Sequence, residues 1–371
     1  MSIDPAGACP PVRPRRSFGR RRMSLLALSA GLSTAVLVGC GSTHQSGEPA
    51  APISGQKMVS LLESLLPQGT SSAQKGRGLT DKPGPPPSAE LLFTEGGKAA
   101  KVTLNLNTLP VPEPFTQCPD PAFHPHSRCT RTQLPGGARL VLDQSPQDEA
   151  KPSEGKILTA LLTYKDGRQV YVTAAGNLGG KDASKTASNV PALPLTLAQL
   201  GTIARSAVWE PVLSAMPTPQ GDTKKDAGAG LTAQQIAHGV KGLLPAKLRV
   251  VREGGSDGFG HVTVDDGHGE SLVTVNVQRW KPDDPAMAEL FGKAAPLPDG
   301  TRVSVRKEPA RRGGPGAVEW TVDTFRKDGL RVAITAVNAG AYQLPASRSE
   351  PALSIEQLKR IALDRTWQAR A

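Results

Sequence analysis

Hydrophobic and polar residues along this chain follow two periods, one typical of helices and one typical of strands. Apolar residues spaced three and four apart, such as Met58, Leu62 and Leu65, form one stripe of a helix that ends at Pro67. In the segment 273–278 valines alternate with polar residues, as expected for a strand with one buried face. Segments rich in Gly and Asp predict hairpin turns at 95–98, 165–167, 265–269 and 327–329.

The same elements recur in the same order, which indicates a duplicated domain. The segment 195–200 and the later Trp209 return as 353–358 and Trp367, at an offset of 158 residues. Four more blocks correspond: 102–106 with 273–277, 134–139 with 297–302, 166–174 with 328–336, and 58–67 with 236–245. The offset falls from 178 to 158 along the chain, so the first copy is longer and the differences fall in loops.

Each copy is predicted to have an α+β fold, with an antiparallel sheet of four or five strands. An N-terminal and a C-terminal helix are expected to cover one face of that sheet. Capping boxes that begin at Thr232, Thr196 and Ser354 predict where three of these helices start. The predicted organisation is a signal peptide over 1–39, a tether over 40–53, a first copy over 54–210, a linker over 211–230 and a second copy over 231–371.

The N-terminal segment has the pattern of a lipoprotein export signal. An arginine cluster precedes an apolar run over 23–38, which is short for a helix that spans a membrane. The residues Leu37-Val38-Gly39-Cys40 resemble the bacterial lipobox. This resemblance implies cleavage before Cys40, acylation of its thiol, and attachment to the extracytoplasmic face of the cell membrane. The alternative is an uncleaved N-terminal anchor with an incidental cysteine.

The export route has two interpretations. The segment 15–20, which begins Arg15-Arg16, resembles a twin-arginine signal and implies export after folding. The alternative is an ordinary basic segment used for export before folding. If translation starts at Met23, the twin arginines are absent from the protein.

The charge of the chain is consistent with an anionic neighbour. Removal of the six arginines and the single acid, Asp4, that precede Cys40 lowers the formal net charge from +11 to +6. That charge favours contact with anionic lipid or with an anionic polymer of the envelope. Nucleic acid is not an expected partner, because the sequence has no basic stripe interleaved with aromatic residues.

Two cysteines remain after the signal and the lipid site are set aside. Cys118 and Cys129 are predicted to form a disulfide, as is usual for an even pair in an exported protein. The bridge would close a proline-rich loop and contribute about 2–3 kcal/mol of stability. The alternative is a metal site, since His124 and His126 lie between the cysteines. Asp120 is also nearby in the sequence.

No segment predicts a reaction, a cofactor or a metal ion. Ser-x-x-Lys occurs four times without the partner motifs of penicillin-binding enzymes. The densest group of potential metal ligands falls on a strand end and a hairpin, where Asp and Gly are expected for turn geometry. That group comprises His261, Asp265, Asp266 and His268.

The tryptophans are assigned to two roles. Trp209 and Trp367 occupy equivalent positions after an amphipathic helix and are expected to anchor the two cores. Trp280 has no aromatic counterpart in the first copy and precedes an irregular segment. It is the candidate for a binding surface.

These features predict a non-catalytic binding module with an envelope protein or an anionic polymer as its partner. The alternatives are a carrier or sensor that holds an apolar ligand between helices and sheet, and an envelope hydrolase with a non-contiguous site. Because loops carry function on rigid scaffolds, we expect the loop over 119–128 to distinguish the two copies. The lipobox, the duplicated plan and the Ala-, Gly- and Pro-rich linkers resemble uncharacterised secreted lipoproteins of actinobacteria. This resemblance implies a location and carries no activity.

Overall fold

The fold consists of two antiparallel sheets, of seven and six strands, and of helices that pack on them. The computed structural model describes residues 53–79, 84–109, 117–176, 192–216 and 230–368, so Cys40 and the export signal lie outside the described residues. The α+β class and the presence of two similar sheet domains are confirmed. The predicted count of four or five strands per copy is wrong. Both sheets belong to one compact unit that spans 51–371.

The first domain has its sheet in the order β1-β2-β3-β7-β6-β5-β4. Helix α1 packs on β1 and β2, and α2 packs on β5, β6 and β7. The elements are α1 (Gly55–Glu63), β1 (Thr70–Arg77), β2 (Ser88–Glu95), β3 (Lys98–Thr108), β4 (Arg128–Gln133), β5 (Arg139–Pro146), β6 (Lys156–Thr163), β7 (Arg168–Ala175), α2 (Leu197–Ala204) and α3 (Glu210–Ala215).

The second domain repeats this topology with one strand fewer. Its elements are α4 (Ala233–Leu243), β8 (Arg249–Ser256), β9 (Phe259–Asp265), β10 (Glu270–Arg279), α5 (Pro285–Phe291), β11 (Arg302–Pro309), β12 (Val318–Phe325), β13 (Leu330–Val337) and α6 (Ile355–Leu363). The sheet runs β8-β9-β10-β13-β12-β11, which is the order of the first sheet without β4. The central pairing is also repeated, because Thr103 lies opposite Thr173 as Thr274 lies opposite Thr335.

The predicted helix starts and core tryptophans are confirmed. Thr196, Thr232 and Ser354 each cap a helix through reciprocal bonds with the glutamine three residues later. The apolar side chains of each helix pack against the apolar face of its sheet. The indole N–H groups of Trp209 and Trp367, both fully buried, donate to the carbonyls of Ile203 and Ile361 at 2.7 and 2.6 Å.

Two differences from the sequence prediction concern exposed or short elements. Strands β1 and β4 show little apolar alternation because most of their residues are exposed, so no period-two pattern marks them. Helix α3 occupies 210–215, so it overlaps the start of the predicted linker over 211–230, and it buries Val212 and Leu213 in the first core. The rest of that linker, 217–229, lies outside the described residues.

The predicted hairpin turns join β2 to β3, β6 to β7, β9 to β10 and β12 to β13. Glycines at these turns, such as Gly167 and Gly329, adopt the positive φ angles of 84° and 81°. Among the described residues, no helix has the length and apolar character needed to cross a bilayer.

Candidate functional site at the junction of the two domains

The predicted disulfide between Cys118 and Cys129 is present, with Cα atoms 5.6 Å apart. It joins the start of the loop over 118–129 to strand β4, so the loop leaves the sheet as a closed ring. Both sulfur atoms are used in this bond, and the alternative metal site built on two thiolates is not formed. The loop itself does not project freely from the first domain, because its residues contact the second domain.

Asp120 forms the polar part of this contact. Its Oδ1 atom accepts a hydrogen bond from the backbone N–H of Ala122 at 2.9 Å, which fixes the carboxylate in a tight turn. Its Oδ2 atom lies 2.7 Å from Nε2 of His261 on β9, and the imidazole N–H donates to it. The His261 side chain is 3% exposed, whereas that of Asp120 is 29% exposed. An ion-paired or strongly hydrogen-bonded carboxylate therefore connects the two domains.

The pKa of Asp120 reflects two opposing effects. Partial burial opposes its ionisation, but the hydrogen bonds from His261 and from the Ala122 N–H outweigh that effect. The nearby histidines, His261 and His124, add further stabilisation of the charge. The pKa of this carboxyl group is consequently held below its ordinary value.

Aromatic side chains form the apolar part of the contact. Phe123 stacks on Tyr342 at a centroid distance of 5.4 Å and lies edge-on to His261 at 6.1 Å. It also lies 5.7 Å from Phe259. The Tyr342 N–H donates to the Ala122 carbonyl at 2.9 Å, so backbone as well as side chains join the domains.

The junction was not predicted from the sequence. Ala122 is 4% exposed and belongs to a small apolar cluster with Leu272, Val337 and Ala339 of the second domain. Two features of the sequence lie at the junction but do not identify it. Phe123 is an aromatic residue in an otherwise proline-rich loop. His261 lies on the polar face of a strand, at a position that the structure buries.

The group His261, Asp265, Asp266 and His268 is divided by the structure. The Asp265 carboxylate accepts from the Gly267 N–H at 2.8 Å, and that of Asp266 accepts from the His268 N–H at 3.3 Å. These bonds are those of a hairpin turn, which confirms the turn interpretation. His261 is directed instead toward Asp120.

Trp280, the candidate for a binding surface, is half-buried. Its indole N–H donates to the Gln278 side-chain oxygen at 3.1 Å, and its ring packs near Phe291 and Phe325. Gln278 accepts in turn from Arg331, which is ion-paired with the fully buried Asp323. The indole is thus held in place, and its role in binding stays a prediction.

A depression of about 680 Å³ lies beside this region, at the end of the second sheet. Three basic side chains, Arg302, Arg326 and Lys327, line it together with Leu297. Asp283 is the acidic residue of that lining. Leu297 is 38% exposed, one of two large apolar residues that are exposed in the described part of the chain. The combination of positive charge and apolar surface suits an anionic partner.

Comparison with known proteins gives no match to a family model, to a characterised protein or to a solved structure.

Proposed function

We propose that this chain is a membrane-anchored, extracytoplasmic lipoprotein that acts as a non-catalytic binding protein. Its two domains would present one combined surface, because the loop of the first is docked on the second. The contact between Asp120 and His261, reinforced by Phe123 and Tyr342, is the observation that carries this proposal. A rigid two-domain body can offer a partner a surface that neither copy offers alone.

The disulfide supports an extracytoplasmic location. Bridges of this kind persist in oxidising compartments and are rare in the bacterial cytoplasm. In the proposal Cys40 carries the lipid, and the net charge of +6 after cleavage brings the domains close to anionic lipid or polymer. The resemblance to actinobacterial lipoproteins agrees with that location.

The distribution of polar groups supports binding over catalysis. His261, the most deeply buried histidine of the junction, is engaged by Asp120 and covered by Phe123. A substrate would have to displace this loop before reaching the imidazole. The cationic depression around Lys327 is open to solvent and has the character of a contact surface.

The interior between helices and sheets gives little support to the alternative of a carrier for an apolar ligand. Leu200, Ile203, Leu358 and Ile361 face the sheets from α2 and α6 and are 0–2% exposed. The two tryptophans fill the ends of the same layers. A carrier would need these side chains to separate from strands on which they are closely packed.

The proposal is tested by recovering partners from cross-linked envelope with the acylated protein and with a soluble form that starts at Gly41. We expect the same partner with both forms, and we expect the wild type to incorporate labelled fatty acid and Cys40→Ala to incorporate none. Loss of recovery on Lys327→Glu would locate the contact at the depression. The matched control is Lys165→Glu, since Lys165 lies over Gly137 as Lys327 lies over Gly300.

Two outcomes would contradict the proposal. A wild-type protein that incorporates no fatty acid, or a Cys40→Ala protein that still does, would exclude a lipid anchor on Cys40. Turnover of an envelope substrate by the purified chain, lost when a single side chain is changed, would replace binding with catalysis.

A further inference from the structure

The two sheets differ at one edge. In the first domain β4 pairs antiparallel with β5, from Arg128 opposite Gln144 to Gln133 opposite Arg139. In the second domain β11 holds the place of β5, next to β12 as β5 is next to β6. Within the described residues no strand pairs with the outer side of β11, but helix α5 contacts this strand, and its first residue, Arg302, forms a single bridge with Pro296. The strand position at this edge is therefore filled by β4 in the first domain, whereas in the second domain it has no strand beyond the bridge at Arg302.

The backbone of β11 presents hydrogen-bonding groups at this open edge. In an antiparallel ladder, alternate residues direct their N–H and C=O groups to opposite sides. Ala310 donates to Ala317 on the β12 side, whereas the Thr301 carbonyl accepts from Leu297 on the outer side. By this alternation Val305 and Lys307, beyond the bridge at Arg302, direct their backbone groups outward.

The open edge is also regular. The edge strand β1 has a register shift between Ser72 and Lys75, and β8 has one between Val250 and Arg252. Such bulges hinder pairing with another chain. The register of β11 with β12 is continuous from Arg302 to Pro309. This edge therefore lacks the irregularity that protects β1 and β8.

The side chains of β11 define the chemistry of an added strand. Val303 and Val305 lie on the face that the helices cover, beside Val322, and Val305 is 42% exposed. Arg302 and Arg306 lie on the opposite face. Across a new ladder, valine and glutamate would complement the two faces, since apolar and opposite-charge pairs are favourable.

An acid also lies on this strand, but it has a partner. Glu308 lies 3.8 Å from Arg311, so its charge is balanced within the domain. Lys307 stands over the Trp320 ring at 3.9 Å and keeps its positive charge close to the edge. Because Glu319 lies opposite Glu308 on β12, the basic part of the edge is the segment from Arg302 to Lys307.

We propose that β11 binds an extended, acidic segment of a partner protein as a seventh strand, in the place that β4 occupies in the first domain. The inference rests on the proposed binding function and identifies its partner chemistry. Main-chain bonds to Val305 and Lys307 supply affinity, and Arg302 and Arg306 select for carboxylates.

The test uses the full chain in detergent and a capped eight-residue peptide that alternates valine and glutamate. Binding is measured by titration calorimetry, with a valine–lysine peptide as the charge control. We expect binding of the acidic peptide only, weakened about tenfold or more by Arg302→Glu combined with Arg306→Glu. An acidic peptide with N-methyl groups at alternate residues should not bind, because it cannot complete the ladder.

A proline pair distinguishes the two edges. Val305→Pro removes an outward N–H from β11 and should therefore abolish binding. The domain should stay folded, because proline is tolerated where an edge N–H faces solvent. Just after β4, the N–H of Leu134 donates to the carbonyl of Ala138, which precedes β5, so by the same alternation the backbone groups of Arg131 face outward. Arg131→Pro should leave binding unchanged.

Three results would overturn the inference: equal binding of the acidic and basic peptides, binding by Val305→Pro at wild-type affinity, or loss of binding with Arg131→Pro alone. Dimerisation of the chain through β11, seen by light scattering and abolished by Val305→Pro, would assign the edge to a second copy instead. If envelope partners are recovered equally by wild type and Val305→Pro, the binding function stands and its site lies elsewhere.

Discussion

Asp120 of the first domain and His261 of the second are joined by a hydrogen bond of 2.7 Å between Oδ2 and Nε2. These residues are 141 positions apart in the chain and belong to different copies of the duplicated fold. The bond depends on the disulfide loop, which only the first copy has. That loop thus joins two similar domains into one body.

Replacement of Asp120 should weaken the junction. We expect Asp120→Ala to lower the free energy of unfolding by about 1–3 kcal/mol, because a charged hydrogen bond is lost and the buried imidazole is left unpaired. Chemical denaturation of the soluble form measures this change in the free energy of unfolding. The control is Asp148→Ala, which removes a similar turn bond to Ala150 on an exposed loop and should cost less. Equal costs would contradict a special role for Asp120.

The contribution of Asp120 should depend on pH in the acid range. Its folded-state pKa lies below the ordinary value of 3.8, so the unfolded chain takes up the proton first as pH falls. The stability difference between wild type and Asp120→Ala should have its full value near pH 5 and should decrease as pH falls through the folded-state pKa of Asp120. Denaturation series from about pH 5 to about pH 2, below the ordinary range of histidine, test this, and a difference that grows over that range would contradict it.

The disulfide should matter for docking as well as for the loop. The double variant Cys118→Ser, Cys129→Ser is expected to lose about 2–3 kcal/mol through greater freedom of the unfolded chain. It should also expose Phe123 and Tyr342, seen as faster labelling or quenching of the tyrosine. A variant with lower stability but an unchanged Tyr342 environment would show that the loop docks without its covalent closure.

The two core tryptophans should be energetically equivalent. Trp209→Phe and Trp367→Phe each remove a bond from a buried indole to a helix carbonyl and leave a small cavity. We expect each to cost about 1–3 kcal/mol, with Trp280→Phe costing less because that ring is half-buried. Thermal denaturation measures the three variants. A large cost in one copy alone would contradict equivalent packing.

The parts of the fold that could be predicted are those in which local sequence and burial agree. The alternation at 273–278 and the capping box at Thr196 each contain a complete structural signal. Strand β4 has no such signal, since its side chains face solvent and its place is set by pairing with β5. The same limit applies to α5, whose seven residues are too few to show a helical period.

The junction could not be predicted because it depends on contacts between distant segments. The number of cysteines indicated the disulfide. It did not indicate which surface the loop covers. Asp120 and His261 each have an ordinary local environment, a proline-rich turn and a strand. Only the relative placement of the two sheets makes them partners.

The most direct test of the junction is hydrogen exchange at the amide of Tyr342, which donates to Ala122 across the domains at 2.9 Å. The adjacent amide of Gln343 donates to Arg312 within the second domain at 2.7 Å and serves as an internal control. In the wild type both amides should be protected. With Cys118→Ser and Cys129→Ser combined with Asp120→Ala, protection should be lost at Tyr342 and kept at Gln343. Unchanged protection at Tyr342 would contradict the docking of the loop on the second domain.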